Sequence, residues 1–207
     1  MFNQRLCSPS TPWILDHRLL TELFGAVGEE LRLSYARIAV LVVGGVCIGF
    51  RGIQNRTTRD VDVIALVVGD PPHFELILPD PVPEPLLSAV SRLARDYGLQ
   101  PDWLNTIVGK QWAGGLPPGI LDDVGWLDFG GLRVALAGRI GLIPLKLFAA
   151  IDQGPTSVHW RDLLALRPNQ QELDLATKWV RTQDVGSEFQ TFVSDAVERL
   201  QAILGSR

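Results

Sequence analysis

The chain has 207 residues, 46% of them hydrophobic and 20% charged, with a formal net charge of −4. That length suits one domain with an added lobe or two small domains, and the apolar fraction excludes a disordered or low-complexity chain. Cys7 and Cys47 form neither a disulfide framework nor a metal-spaced pair, and the acidic excess argues against a surface coated in positive charge for holding duplex DNA.

Regular structure is predicted from about Asp16, after which Leu19, Leu20, Leu23, Phe24, Val27 and Leu31 recur at helical spacing. Residues 38–43 are short, β-branched and uniformly apolar, which suits a strand buried on both faces. Gly44-Gly45 ends that run, and residues 46–50 fit a short helix. A polar stretch over 51–59 leads into a second predicted strand, 60–68, whose first half alternates acidic and apolar residues.

Prolines at 71, 72, 79, 81, 83 and 85 make the following segment a poor helix or central strand. The spacing then predicts a helix over 84–97, with Gly98 placed to stop it. Residues 99–125, rich in Gly, Pro and Trp, yield no assignment. Residues 126–129 and 132–136 read as strands joined at Gly130-Gly131, a hairpin.

From Gly138 the helical period persists, with helices expected around 142–151, 160–166, 170–181 and 188–204. The fold class predicted is therefore α/β: a small mixed-sheet core over residues 1–137 and a helical lobe over 138–207. The longest apolar run, 38–50, is broken by three glycines and falls short of the roughly 20 residues that span a bilayer. The N-terminus lacks the apolar core of a signal peptide. A cytoplasmic protein with no membrane partner is the expectation.

The chemistry concentrates in Gly44-Gly45 and, fifteen residues further on, Asp60-Val-Asp62, preceded by Arg56 and Thr58. Two aspartates at i and i+2 on a strand face the same way, with Cα atoms about 6.5–7 Å apart. Their carboxylates can converge on a Mg²⁺ ion, the usual device for in-line displacement at phosphate. The glycine pair offers backbone N–H groups to triphosphate oxygens, and arginine grips phosphate bidentately. Each piece alone is commonly structural. The combination is not.

These residues, Gly44-Gly45 with Arg56-x-Thr58-x-Asp60-x-Asp62, resemble the active-site motif of the polymerase-β-type nucleotidyltransferase superfamily. Within it the chain is most similar to the bacterial branch holding AbiEii and MenT-like toxins and their uncharacterised relatives. Lys146-Leu-Phe-Ala149, the segment His159-Trp-Arg-Asp162-Leu-Leu-Ala-Leu166, and Trp103-Leu104-Asn105 extend the likeness, although Thr106 stands where relatives often carry Asp. The resemblance implies that Asp60 and Asp62 hold Mg²⁺ and that the glycines contact the triphosphate of an NTP. It further implies transfer of a nucleoside monophosphate to a hydroxyl, with an RNA acceptor such as the tRNA 3′ end and a neutralising antitoxin protein as partners.

Lys146, one of three lysines, lies in a strongly apolar helix and is expected to face an anion or a cleft, here the triphosphate or pyrophosphate. Its bland alternative is a snorkelling surface lysine. Asp162 is expected to orient Lys146 or help deprotonate the acceptor, or equally to sit in the first turn of a helix, where carboxylates are favoured, and Asp128 competes as a third carboxylate should its strand pair beside 60–64. The three histidines have no ligand spacing. Trp103 and Trp112 offer base-stacking surfaces, with core packing the commoner use. Two other readings compete: the same chemistry on an aminoglycoside-like small molecule or a protein, and a nucleotide-binding module without turnover.

Overall fold

The computed structural model describes residues 14–55, 57–70 and 73–205. Asp16 starts α1 (His17–Leu33) by accepting the Leu19 amide at 2.8 Å, satisfying one of the helix's orphan donors. The apolar stripe of α1 then buries Leu20, Leu23, Phe24, Val27 and Leu31. β1 (Ile38–Val43) follows, and a six-residue α2 (Gly45–Phe50) starts at the glycine turn, as the sequence predicts.

β1 is the middle of a mixed sheet ordered β3-β2-β1-β6-β5. It pairs antiparallel with β2 (Val61–Asp70) and parallel with β6 (Leu132–Leu136). β5 (Gly125–Phe129) closes one edge as a hairpin with β6. The second half of β2 pairs with β3 (His73–Ile77), and its first two residues pair in parallel with β4 (Leu104–Asn105). The proline-rich segment thus does contain a strand, and it is an edge strand, where missing amides are tolerated. Phe74 of β3 and Trp126 of β5 stand at opposite ends of the strand order, yet their ring centroids are 5.1 Å apart. The sheet is therefore strongly curled.

The α3 helix (Glu84–Tyr97) packs on α1 and ends at Gly98, which takes the left-handed φ of 67° that favours glycine. Trp103 is buried, its Nε1 donating to the Val90 carbonyl at 3.2 Å, so it packs in the core. After β6 the chain is helical: α4 (Arg139–Gln153), α5 (Val158–Leu166), α6 (Gln170–Val180) and α7 (Ser187–Gly205). α4 packs against the other three. Arg139 fastens the base of this bundle through paired bonds of 2.6 and 2.8 Å to the Glu172 carboxylate and a third to the Leu166 carbonyl. That hydrogen bonding holds the Glu172 carboxyl below its ordinary pKa. Among the described residues, no helix is long and apolar enough to cross a membrane.

One expectation changes. Asp128 does not stand beside the strand that begins after Asp60, because β5 pairs only with β6, opposite Arg133. Its carboxylate instead accepts the Gly130 amide at 2.9 Å and shapes the hairpin turn. Arg51, in the polar stretch that precedes the aspartates, serves the fold. Its guanidinium donates to the carbonyls of Ala137, Asp123 and Leu136, at 2.9, 2.5 and 3.0 Å, and so pins α2 to the end of β6.

Where α1 crosses the hairpin, a β-carbon on Gly28 would collide with the Phe129 carbonyl. Helix propensity alone predicts that Gly28→Ala stabilises by about 1 kcal/mol. The collision predicts overpacking instead, a loss of about 1–3 kcal/mol, and urea unfolding of the two proteins decides the sign.

Candidate functional site

The register of the sheet creates the site. Val43, the last residue of β1, faces Asp62 on β2, so the glycine turn after β1 meets the start of β2. Gly44 has φ 77° and ψ −146°, a conformation essentially reserved for glycine. A β-carbon there would lie 2.5 Å from the Asp62 Oδ2. The bare backbone therefore lets the carboxylate settle directly over the turn. β6 ends at the same rim, and α4 departs from it, which brings Lys146 to residues some eighty positions earlier in the chain.

A cavity of about 360 Å³ results, and Gly44, Gly45, Thr58, Asp60, Asp62 and Lys146 all line it. Asp60 and Asp62 share this wall, as their i, i+2 spacing requires. The Thr58 hydroxyl lies 3.2 Å from the Asp60 carbonyl and 3.5 Å from its Oδ1, and its backbone is clamped by two hydrogen bonds to Leu15. Thr58 thus orients Asp60 as well as facing the cavity. Arg56 lies outside the described residues; Arg59 is exposed.

Lys146 faces both an anion and a cleft, as expected, and is no snorkelling surface lysine. It is buried, and its Nζ donates to the Asp162 Oδ2 at 2.7 Å, with side-chain exposures of 5% and 1% for the pair. Asp162 is behind the cavity wall, not among the residues that line it. It stands in the body of α5 rather than in its first turn, bonded to the lysine.

Ser157 caps α5 by accepting the Trp160 amide, and this sets His159 in the first turn of the helix, where it also lines the cavity. Val108, from the unassigned middle, also reaches the wall from a 3₁₀ segment, Ile107–Gly114. Asn105 stands in register beside Asp62, but its Oδ1 accepts the Ile107 amide at 3.0 Å and serves the local turn. Cys47 is near the site and chemically quiet. Burial pushes its thiol up to about 12, and its Sγ donates to the Val42 carbonyl at 3.0 Å.

Two predictions follow from the geometry. Gly44→Ala should destabilise by about 1–3 kcal/mol through backbone strain alone, with a further loss from contact with Asp62. Gly52→Ala, at φ 65° with open space around it, should cost less than Gly44→Ala, a difference that urea midpoints read. Lys146→Met removes the cation from a buried carboxylate and should cost about 3–5 kcal/mol, whereas Lys146→Met with Asp162→Leu should recover most of that loss. Calorimetric melting of the three proteins tests it; a double variant no more stable than the single would show that the pair is not thermodynamically closed.

Comparison with family models, with curated proteins and with solved structures finds no match for this chain.

Proposed function

We propose that the protein is a Mg²⁺-dependent nucleotidyltransferase that moves a nucleoside monophosphate from an NTP to a hydroxyl acceptor and releases pyrophosphate. One observation carries this reading: the glycine turn, both aspartates and the buried lysine line a single cavity although they come from opposite halves of the chain. Its volume, about 360 Å³, falls in the range of small-molecule sites.

The donor set suits the cation. Mg²⁺ is a hard ion usually held by one or two carboxylates, with water and substrate phosphates completing its sphere. Asp60 and Asp62 meet that need, even though no cluster of three or more His, Cys, Asp or Glu occurs among the described residues. When bound, the ion would neutralise charge on the triphosphate and polarise the phosphoryl group under attack.

The chain's own residues supply the rest. Gly44 and Gly45 present backbone without side chains, so phosphate oxygens can approach closely. Lys146, held in place by Asp162, sets its ammonium against the negative charge that builds on the departing pyrophosphate. The acceptor oxygen attacks the α-phosphorus, the bond from that phosphorus to the bridging oxygen breaks, and the acceptor proton must leave. Asp60, Asp62 and His159 are the proton-accepting side chains on the wall, whereas Asp162 is shielded behind it.

This reading agrees with the resemblance to the polymerase-β-type superfamily. Its AbiEii/MenT-like branch suggests a cytoplasmic toxin that modifies RNA at the tRNA 3′ end and is restrained by an antitoxin. The test adds each α-labelled NTP with Mg²⁺ to total tRNA. Asp60→Ala and Asp62→Ala should each lose label transfer by about 100-fold or more, and the refolded double variant Lys146→Met/Asp162→Leu should stay inactive. Equal labelling by wild type and Asp60→Ala would sink the proposed site, and label entering protein or a small molecule would move the acceptor away from RNA.

A further inference from the structure

A second cavity, of about 390 Å³, opens between α4 and α6 under the Pro117-Pro118 turn. It lies on the side of α4 away from the aspartates: Ile140, Ile143 and Pro144 line it, while Leu142, Leu145 and Lys146 line the catalytic one. Its walls are chiefly apolar, with Leu175 and Trp179 from α6 completing them. Small-molecule sites in proteins are typically cavities of this size and polarity, with a few placed polar groups.

The polar groups here have an uneven charge. Arg139 and Glu172 neutralise each other through their paired bonds. Lys178, also on the lining, has no ion pair among the described residues and supplies net positive charge at the mouth. Pro144, lacking an amide, also withdraws the donor that would normally satisfy the Ile140 carbonyl, and both residues face this cavity. An apolar slot walled by prolines and an indole, with one surplus cation at its mouth, matches a flat apolar body bearing a single negative charge.

The two cavities share a partition. Phe148 lines the catalytic cavity, Trp179 lines the second, and their rings meet edge-on with centroids 6.2 Å apart. Trp179 also donates to the Gly115 carbonyl, at the end of the segment that carries Val108 into the catalytic wall.

We propose that the α4–α6 cavity is a binding site for a small aromatic anion, held by its ring system between Pro117-Pro118 and Trp179 and by its charge at Lys178. The test titrates the full-length protein with 8-anilinonaphthalene-1-sulfonate and, in parallel, with uncharged N-phenyl-1-naphthylamine. The sulfonate should bind saturably at one site. Leu175→Asp, at an exposed position on the mouth, and Ala176→Phe, which fills the cavity, should each weaken it at least tenfold. Lys178→Glu should weaken the sulfonate by fivefold or more and leave the neutral probe unchanged. Hydrogen exchange with the sulfonate bound should slow in α6 and in residues 139–149. Retention of wild-type affinity by Leu175→Asp, an equal effect of Lys178→Glu on both probes, or protection confined to other helices would each overturn the assignment.

Discussion

The buried contact between Lys146 and Asp162 organises the back half of the molecule. Two opposite charges are taken almost wholly out of water and joined at 2.7 Å. Each loses several kcal/mol of hydration, and a hydrophobic pair of similar volume would often serve stability as well or better. The contact nonetheless locks α5 onto α4 through a bond of fixed direction, which apolar packing between Leu147, Ala150, Leu163 and Leu166 would not specify. That lock holds Lys146 and the start of α5, with His159, on the lining of the same cavity as the aspartates. A pair of this kind is better explained by what it orients than by what it stabilises.

The front half answers with a backbone constraint. Position 44 requires glycine through its dihedral angles, and the carboxylate of Asp62 lies against the bare backbone there. The antiparallel register links the two. Because Val43 pairs with Asp62, the turn that ends β1 and the acid that opens β2 must share space. The parallel β1–β6 pairing then delivers the start of α4 to the same rim. The site is thus a consequence of strand order: three chain segments distant in sequence end or begin at one edge of a curled sheet.

Much of this was legible from residue patterns, and the exceptions have physical causes. The cap at Asp16, the apolar run 38–43, the alternation after Asp60 and the stop at Gly98 are local signals, and local structure obeys them. Asp60, Asp62, Gly44 and Gly45 were findable because their spacing is itself the geometry. By contrast, β4 has two residues and exists only because β2 exposes its first two for pairing. Arg51 sits in a cluster of arginines in sequence, but its direction is set by carbonyls some seventy to eighty-five residues away. Asp128 depends on which strand β5 chooses as neighbour, and hairpin closure with β6 won over any pairing with β2. His159 reaches the cavity lining through tertiary placement, which no local pattern encodes.

The charge total takes on a narrower meaning once the cavity is known. Its lining holds two carboxylates and one ammonium, and that ammonium already faces Asp162. Arg51, which would have added positive charge, spends its donors on backbone carbonyls. A polyanion approaching these walls alone would meet like charge at short range, where a low local dielectric makes repulsion strong. For the proposed reaction, the described lining would favour a triphosphate that arrives with its cation over a bare one. Grip on the nucleotide and its activation would then depend on the same ion. A net charge of −4 would be no obstacle to such phosphate chemistry, since the substrate would bring positive charge of its own.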